Sequence, residues 1–206
     1  MEMEWVQYLP TTITAIGTII LGWFTYDQYR KNKMTDLKID MLKEKDKVEN
    51  KRRSDNATIV FGELWNVLYE LEADRVYIVQ PHPLGHEEML TIYFEVKKKG
   101  AEPMKPHIQN LKISEVAWFA SELVKNLFWY ITDIDTQVED RYANSIISSC
   151  GCKNAIIKRL SDNRHDWVGS IICEFTTEMS ISEEEAKKVL HNCATNIQYI
   201  LPEIRL

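Results

Sequence analysis

The sequence predicts an α+β fold: an N-terminal transmembrane helix, a helical stalk, and then an antiparallel sheet packed by helices. Three observations carry this. No charge falls between Glu4 and Asp27. The next stretch, 27–53, is dense in charge and contains no Gly or Pro. From Ser54 onward the apolar spacing switches repeatedly between three-to-four and two residues, the periods of helix and strand.

The uncharged run Trp5–Tyr26 is 22 residues long. At about 1.5 Å per residue it spans about 33 Å as a helix, enough for the hydrocarbon layer. Trp5 and Tyr8 at one end, and Trp23, Phe24 and Tyr26 at the other, suit the two membrane interfaces. A cleaved signal fits less well, because Glu2 and Glu4 stand where positive charge belongs and no small-x-small cleavage site follows. A buried or oligomer-forming helix would usually be shorter and show a polar face. The chain therefore divides into an anchor, 1–27, a charged helical stalk, 28–53, and a domain, 54–206. Residues 27–53 carry ten Lys/Arg against six Asp/Glu, and no Lys/Arg precedes the span. The positive-inside rule then places the amino terminus outside and the domain in the cytoplasm. Membrane lipid is the first expected partner.

In the stalk Met34, Met41 and Val48 repeat every seven residues, with Leu37 between them; the seam fades at Glu44 and Lys51. Such a helix pairs weakly with its own copy, so a homo-oligomer through anchor and stalk is expected. Residues 54–206 hold fifteen bases against twenty-three acids. That balance argues against nucleic acid as a partner, because affinity for it rests on neutralising phosphates. The four cysteines are Cys150, Cys152, Cys173 and Cys193. "CGC" is a C-x-C pair with no second pair to complete a zinc site, and the set reads as reduced, packed thiols.

Within the domain, Ile59, Leu64, Val67, Leu68 and Leu71 mark one helix face, with Ser54 or Asp55 as its cap. "DRVYIVQPHP" then alternates as a strand ended by Pro81 and Pro83, and "MLTIYFEVKKKG" is a second strand stopped by Gly100. "PHPLGHEE" joins them as the loop of an antiparallel hairpin. "ISEVAWFASELVKNLF" is helical, capped by Ser114, with Val116, Phe119, Ala120, Leu123 and Leu127 inward. "EDRYANSIISSCG" is a short helix ending at Gly151. "NAIIKRLSD" and "WVGSIICEF" form a second hairpin through the turn "NRHD". The closing helix, "SISEEEAKKVLHNCATNIQYIL", opens with a Ser182/Glu185 capping box. Its apolar face is Ala186, Val189, Leu190, Cys193, Ala194, Ile197 and Ile200. Paired strands between helices imply an antiparallel sheet with the first and last helices on one face.

This order resembles a GAF domain, the sensory α+β module related to PAS. "LEADRVYIVQPHP" is similar to its first strand, "NAIIKRLSDNRHDWVGSIICEF" to its later hairpin with a Gly-containing strand, and "ISEEEAKKVLHNCATNIQYIL" to its last helix. The resemblance covers roughly 57–201. The family's Asn-Lys-x-Phe-Asp-Glu cyclic-nucleotide motif and a chromophore-attachment motif are both absent, so the fold carries over while those ligands do not. The overall layout also resembles the holins of T-even-like bacteriophages, which would imply a phage origin, a periplasmic domain and a pore-forming role.

No catalytic motif appears: no G-x-S-x-G, no P-loop, no H-E-x-x-H. Asp133 and Asp135 read as a solvated acidic loop rather than paired catalytic carboxylates. His82 and His86 are four apart, but "PHPLGH" cannot be helical, so no metal is expected there. The resemblance implies a small-molecule pocket between the sheet and the helices that cross it, using Tyr77, Tyr93, Trp118, Phe119, Trp129, Tyr130 and Arg159. The same aromatic residues also suit an ordinary packed core. The expected function is a membrane-anchored, non-catalytic sensory or protein-interaction module that needs no cofactor and acts through a protein partner. The alternative is a holin-type protein with a regulatory GAF-like domain.

Overall fold

The computed structural model of the protein describes residues 9–82 and 88–201, with side chains from residue 18 onward. The chain divides into two compact units, Met1–Arg52 and Arg53–Leu206. Helix α1 spans Leu9–Glu70.

In the first unit the described part of α1 is exposed nearly throughout. Ile19, Ile20, Leu21, Trp23, Phe24 and Tyr26 are each more than half exposed. Among the described residues no helix is long and apolar enough to cross a membrane. The expected span Trp5–Tyr26 lies outside the described residues up to Tyr8, and its side chains lie outside them up to Gly17.

The second unit is an α+β domain built on one sheet of six antiparallel strands in the order β3-β2-β1-β6-β5-β4. The strands are β1 (Arg75–His82), β2 (Met89–Lys97), β3 (Leu111–Lys112), β4 (Phe128–Ile131), β5 (Asn154–Ser161) and β6 (Trp167–Phe175). The remaining helices are α2 (Ala117–Lys125), α3 (Ile134–Gln137), α4 (Arg141–Ser149) and α5 (Glu183–Ile197). Both expected hairpins form, β1 with β2 and β5 with β6, and β1 also pairs with β6 at the centre of the sheet.

Alternation along the strands sorts the side chains onto two faces. Val76 and Ile78 of β1, Ile156 and Leu160 of β5, and Ile171 and Cys173 of β6 meet the end of α1 and all of α5. Val60, Leu64, Val67 and Leu68 of α1 are buried there, as are Ala186, Leu190, Cys193, Ala194 and Ile197 of α5. The first and last helices therefore share one face, as the periodicity implies. On the other face Tyr77, Val79, Ile92, Ile157 and Ile172 meet α2, α3, α4 and the chain before α2. The Ser182/Glu185 capping box on α5 is present as expected.

Several expectations need correction. Ser54 and Asp55 cap nothing, because α1 runs through them without a break; the stalk and the domain's first helix are one stretch of helix-forming sequence. Val60 occupies the inward position expected of Ile59, which is about half exposed. Ser114 lies in a short 3₁₀ turn, Ile113–Glu115, and Val116 holds the N-cap of α2 without a side-chain bond. Leu127 lies beyond α2 and is exposed. Phe128, the last residue of the expected helix, instead begins β4, an edge strand on β5 that the sequence reading did not include. Pro81 pairs with Leu90 inside β1 rather than ending it. The loop between the first two strands falls at residues 83–87, outside the described residues, and takes His86 and Glu87 with it.

Candidate functional site

A charged residue in a strand buried on both faces must find a partner. On the α2–α4 face, Arg75 at the start of β1 and Glu174 near the end of β6 face each other across the paired strands; both are completely buried. Arg75 Nε donates to Glu174 Oε2 at 2.7 Å, and Nη2 pairs with the same oxygen. Tyr77 Oη donates to Glu174 Oε1 at 2.5 Å. Arg75 Nη1 donates to two backbone carbonyls, Glu102 at 2.7 Å and Cys150 at 3.0 Å. Burial pushes the Glu174 carboxyl up, against the downward pull of Arg75 and Tyr77. Burial, and then the negative Glu174 beside it, push the Tyr77 phenol well up. The Cys152 thiol is also raised, first by burial and then by Glu174. The tyrosine and thiol therefore stay protonated, and Arg75 draws its two carbonyl partners onto a neutralised centre.

Beside this centre the chain from Ala101 to Asn110 is strapped across the sheet. Lys97 Nζ donates to Ala101 O at 2.8 Å. Glu95 accepts from the backbone N–H groups of Met104 at 2.5 Å and Lys105 at 3.1 Å. Ile92 N donates to Ile108 O at 3.0 Å, and Gln109 Nε2 donates to Ile92 O at 2.8 Å. Met104 and Ile108 are buried beneath. Under the strap Val79, Leu90, Ile108, Leu111, Val116 and Phe119 line a cavity with only about 10 Å³ of room for a water-sized molecule. That is the size of one water at most, and its walls are apolar.

The expected pocket residues separate in this arrangement. Trp118, Phe119 and Trp129 come together, with ring centroids 5.9 Å apart for Trp118–Trp129 and 6.2 Å for Phe119–Trp129. Tyr77 belongs to the same core, with its hydroxyl committed to Glu174. Tyr93 is the extra residue where the β1–β2 register shifts, and it faces solvent. Tyr130 packs against the opposite core and donates to Ile181 O at 2.6 Å. Arg159 donates from Nη2 to His165 O at 2.8 Å, bracing the β5–β6 turn.

Other candidates have structural employment. Asp133 caps α3, accepting from Asp135 N at 3.1 Å and from Thr136 Oγ1 at 2.8 Å. Asp135 accepts from Ser148 Oγ at 3.1 Å. His82 is buried, with Nε2 2.8 Å from Thr91 Oγ1. All four cysteines are buried free thiols, as expected. The Arg75–Glu174–Tyr77 centre was missed at the level of sequence. Its signal was there: "RVYIV" and "IICEF" each set one charge among apolar strand residues.

No family model matches the chain, and no curated protein matches it. Its structural likenesses are at low identity. The PixJ GAF domain of Thermosynechococcus elongatus, in its blue-light-absorbing form, superposes with a TM-score of 0.57 at 12% identity, covering 71% of this chain and 87% of that one. A GAF3 domain from Synechocystis, in its photoproduct state, gives 0.58 at 13% identity, covering 69% and 90%. A phycocyanobilin-bound GAF domain from a cyanobacterial phytochrome gives 0.52 at 16% identity, covering 68% and 81%. None of these comparisons supports the likeness to phage holins. The domain behind the N-terminal helix has the fold of a GAF domain.

Proposed function

We propose that this chain is a non-catalytic GAF-like sensory or protein-interaction module, anchored to a membrane and paired with its own copy through α1. The observation that carries the reading is the GAF fold itself; the neighbours named above are light-responsive receptor domains. The apolar space under the strap is nearly filled by side chains. Reorganisation of the strap, rather than occupation of a standing pocket, is the input this geometry favours. The polar groups of the site support a non-catalytic role, being spent on one another or on the backbone.

The anchor rests on the uncharged run 5–26, whose described apolar side chains are exposed and need cover. Pairing rests on the seam Met34, Leu37, Met41 and Val48, each about half exposed or more. Membrane flotation of the full chain, followed by sedimentation in detergent, tests both. The chain is expected to float with the membranes, to resist high salt and to sediment as a dimer. Met41→Glu with Val48→Glu is expected to shift it toward monomer. A chain that stays out of the membrane fraction would remove the anchor, and a wild-type monomer would remove the pairing.

A further inference from the structure

The rim of the strap brings together three side chains of different chemistry. Glu102 and His107 come from the strap, and Cys150 from the C-cap of α4. A carboxylate oxygen, an imidazole nitrogen and the Cys150 Sγ all lie within 4.8 Å of one another. His107 Nε2 is 3.9 Å from Glu102 Oε1. Thiolate, imidazole and carboxylate are the ligand types of Zn²⁺, which binds them tetrahedrally at about 2.0–2.3 Å. The ligand atoms of such a tetrahedron are about 3.3–3.8 Å apart. The three groups therefore need to close by about 1.5 Å or less. Glu102 and His107 are exposed and free to make that movement, whereas Cys150 is buried and held in place.

We propose that Glu102, His107 and Cys150 bind Zn²⁺ or a chemically similar divalent transition ion, leaving a fourth position for water. Two independent features support the site. Arg75 Nη1 donates to the carbonyls of both Glu102 and Cys150, so the backbones of two ligands are already clamped to one point. The charges also balance: once the ion displaces the Cys150 thiol proton to solvent, thiolate and carboxylate neutralise a divalent ion, and Arg75 is neutralised by Glu174. A sulfur and a nitrogen among three ligands select against Mg²⁺ and Ca²⁺, which prefer oxygen. Cys152 is not part of the site, because its Sγ donates to Asn154 O at 3.2 Å. Gly151 makes this division possible; its φ of +78° turns the chain between the two cysteines. A bound ion would tie the strap to the end of α4, a regulation that goes beyond the sensory reading and does not depend on it.

Co²⁺ titration of the untagged, chelator-treated full chain in detergent tests the site. One equivalent is expected to raise a near-ultraviolet thiolate-to-cobalt band that Zn²⁺ abolishes. Cys152→Ser is expected to keep the band, and Cys150→Ser to lose it. His107→Gln changes an exposed side chain and is expected to weaken binding at least about tenfold. Absence of a saturable band, or its persistence in Cys150→Ser, overturns the proposal. Should Cys150→Ser fail to fold by circular dichroism, His107→Gln decides, and an unchanged affinity in that variant overturns it.

Discussion

The two faces of the sheet solve the same burial problem by opposite means. The α1/α5 face is closed by a core without charge, in which Leu64, Leu68, Ile78, Ile156, Ile171 and Leu190 pack with Phe94, Phe175 and two thiols, Cys173 and Cys193. The α2–α4 face has an aromatic and aliphatic core at one end and a buried Arg75–Glu174–Tyr77 centre at the other. A strap of irregular chain lies over it, held through backbone groups. An apolar face needs only volume and pattern, and tolerates repacking. A buried ion pair needs every partner in place, since an orphaned charge costs far more than a missing methyl group. The strapped face is therefore where a small change of chemistry has a large structural effect.

Removing one side chain from each face gives the largest contrast. Glu174→Ala leaves Arg75 charged, buried and uncompensated, and is expected to cost about 3–5 kcal/mol in denaturant unfolding. Leu64→Ala on the apolar face is expected to cost about 3 kcal/mol through its cavity. Replacing Arg75 and Glu174 together, Arg75→Met with Glu174→Leu, is expected to recover most of the Glu174→Ala loss. A double variant no more stable than Glu174→Ala would mean that the pair's lost bonds to the strap and Tyr77, rather than the orphaned charge, set the cost.

A smaller effect is expected at the seam between the central strands. Gly169 of β6 has φ +153°, and a Cβ there would lie 2.7 Å from Val79 O and 3.2 Å from Gln80 Cγ. Gly169→Ala must push β1 away, so a loss of about 1–3 kcal/mol is expected. Thermal unfolding checks this; an unchanged midpoint would show that β1 yields without cost.

The smallest effect is one of pH. Burial pulls the Asp74 carboxyl up, but its hydrogen bonds from Thr176 and the charge of Lys98 outweigh that and hold it below its ordinary value. A carboxyl held low contributes stability above its unfolded value and loses it as pH falls through the folded value. Asp74→Asn is therefore expected to cost less than about 1 kcal/mol at neutral pH and nothing in strong acid, where Asp74 is already protonated. A difference that persists in acid would assign the effect to the hydrogen bonds rather than to the charge.

The α1/α5 face was largely readable before the structure. Leu64, Val67, Leu68 and Leu71 in α1 and the Ala186–Ile197 stripe in α5 announce themselves through period, and Ser182 with Glu185 marks where α5 begins. These are local signals, each set by residues within one or two turns. The other face was read less well for a physical reason. β3 and β4 are short edge strands with little period of their own, so the expected helix ran on through Leu127 and Phe128, where pairing with β5 makes Phe128 a strand residue. Tyr93 and Arg159 carry pocket chemistry as residue types, yet a register shift and a turn point them elsewhere.

Taken alone, the sequence determined the helical character of 9–70, the two long hairpins, the last helix and its cap, and the acidic balance of the domain. These follow from period, propensity and composition, which are properties of neighbours along the chain. Only the tertiary structure decided that β1 lies between β2 and β6, that Arg75 meets Glu174, and that Glu102 and His107 come to rest beside Cys150. Those pairings join residues far apart in sequence, and their energies arise only once water has been excluded between them.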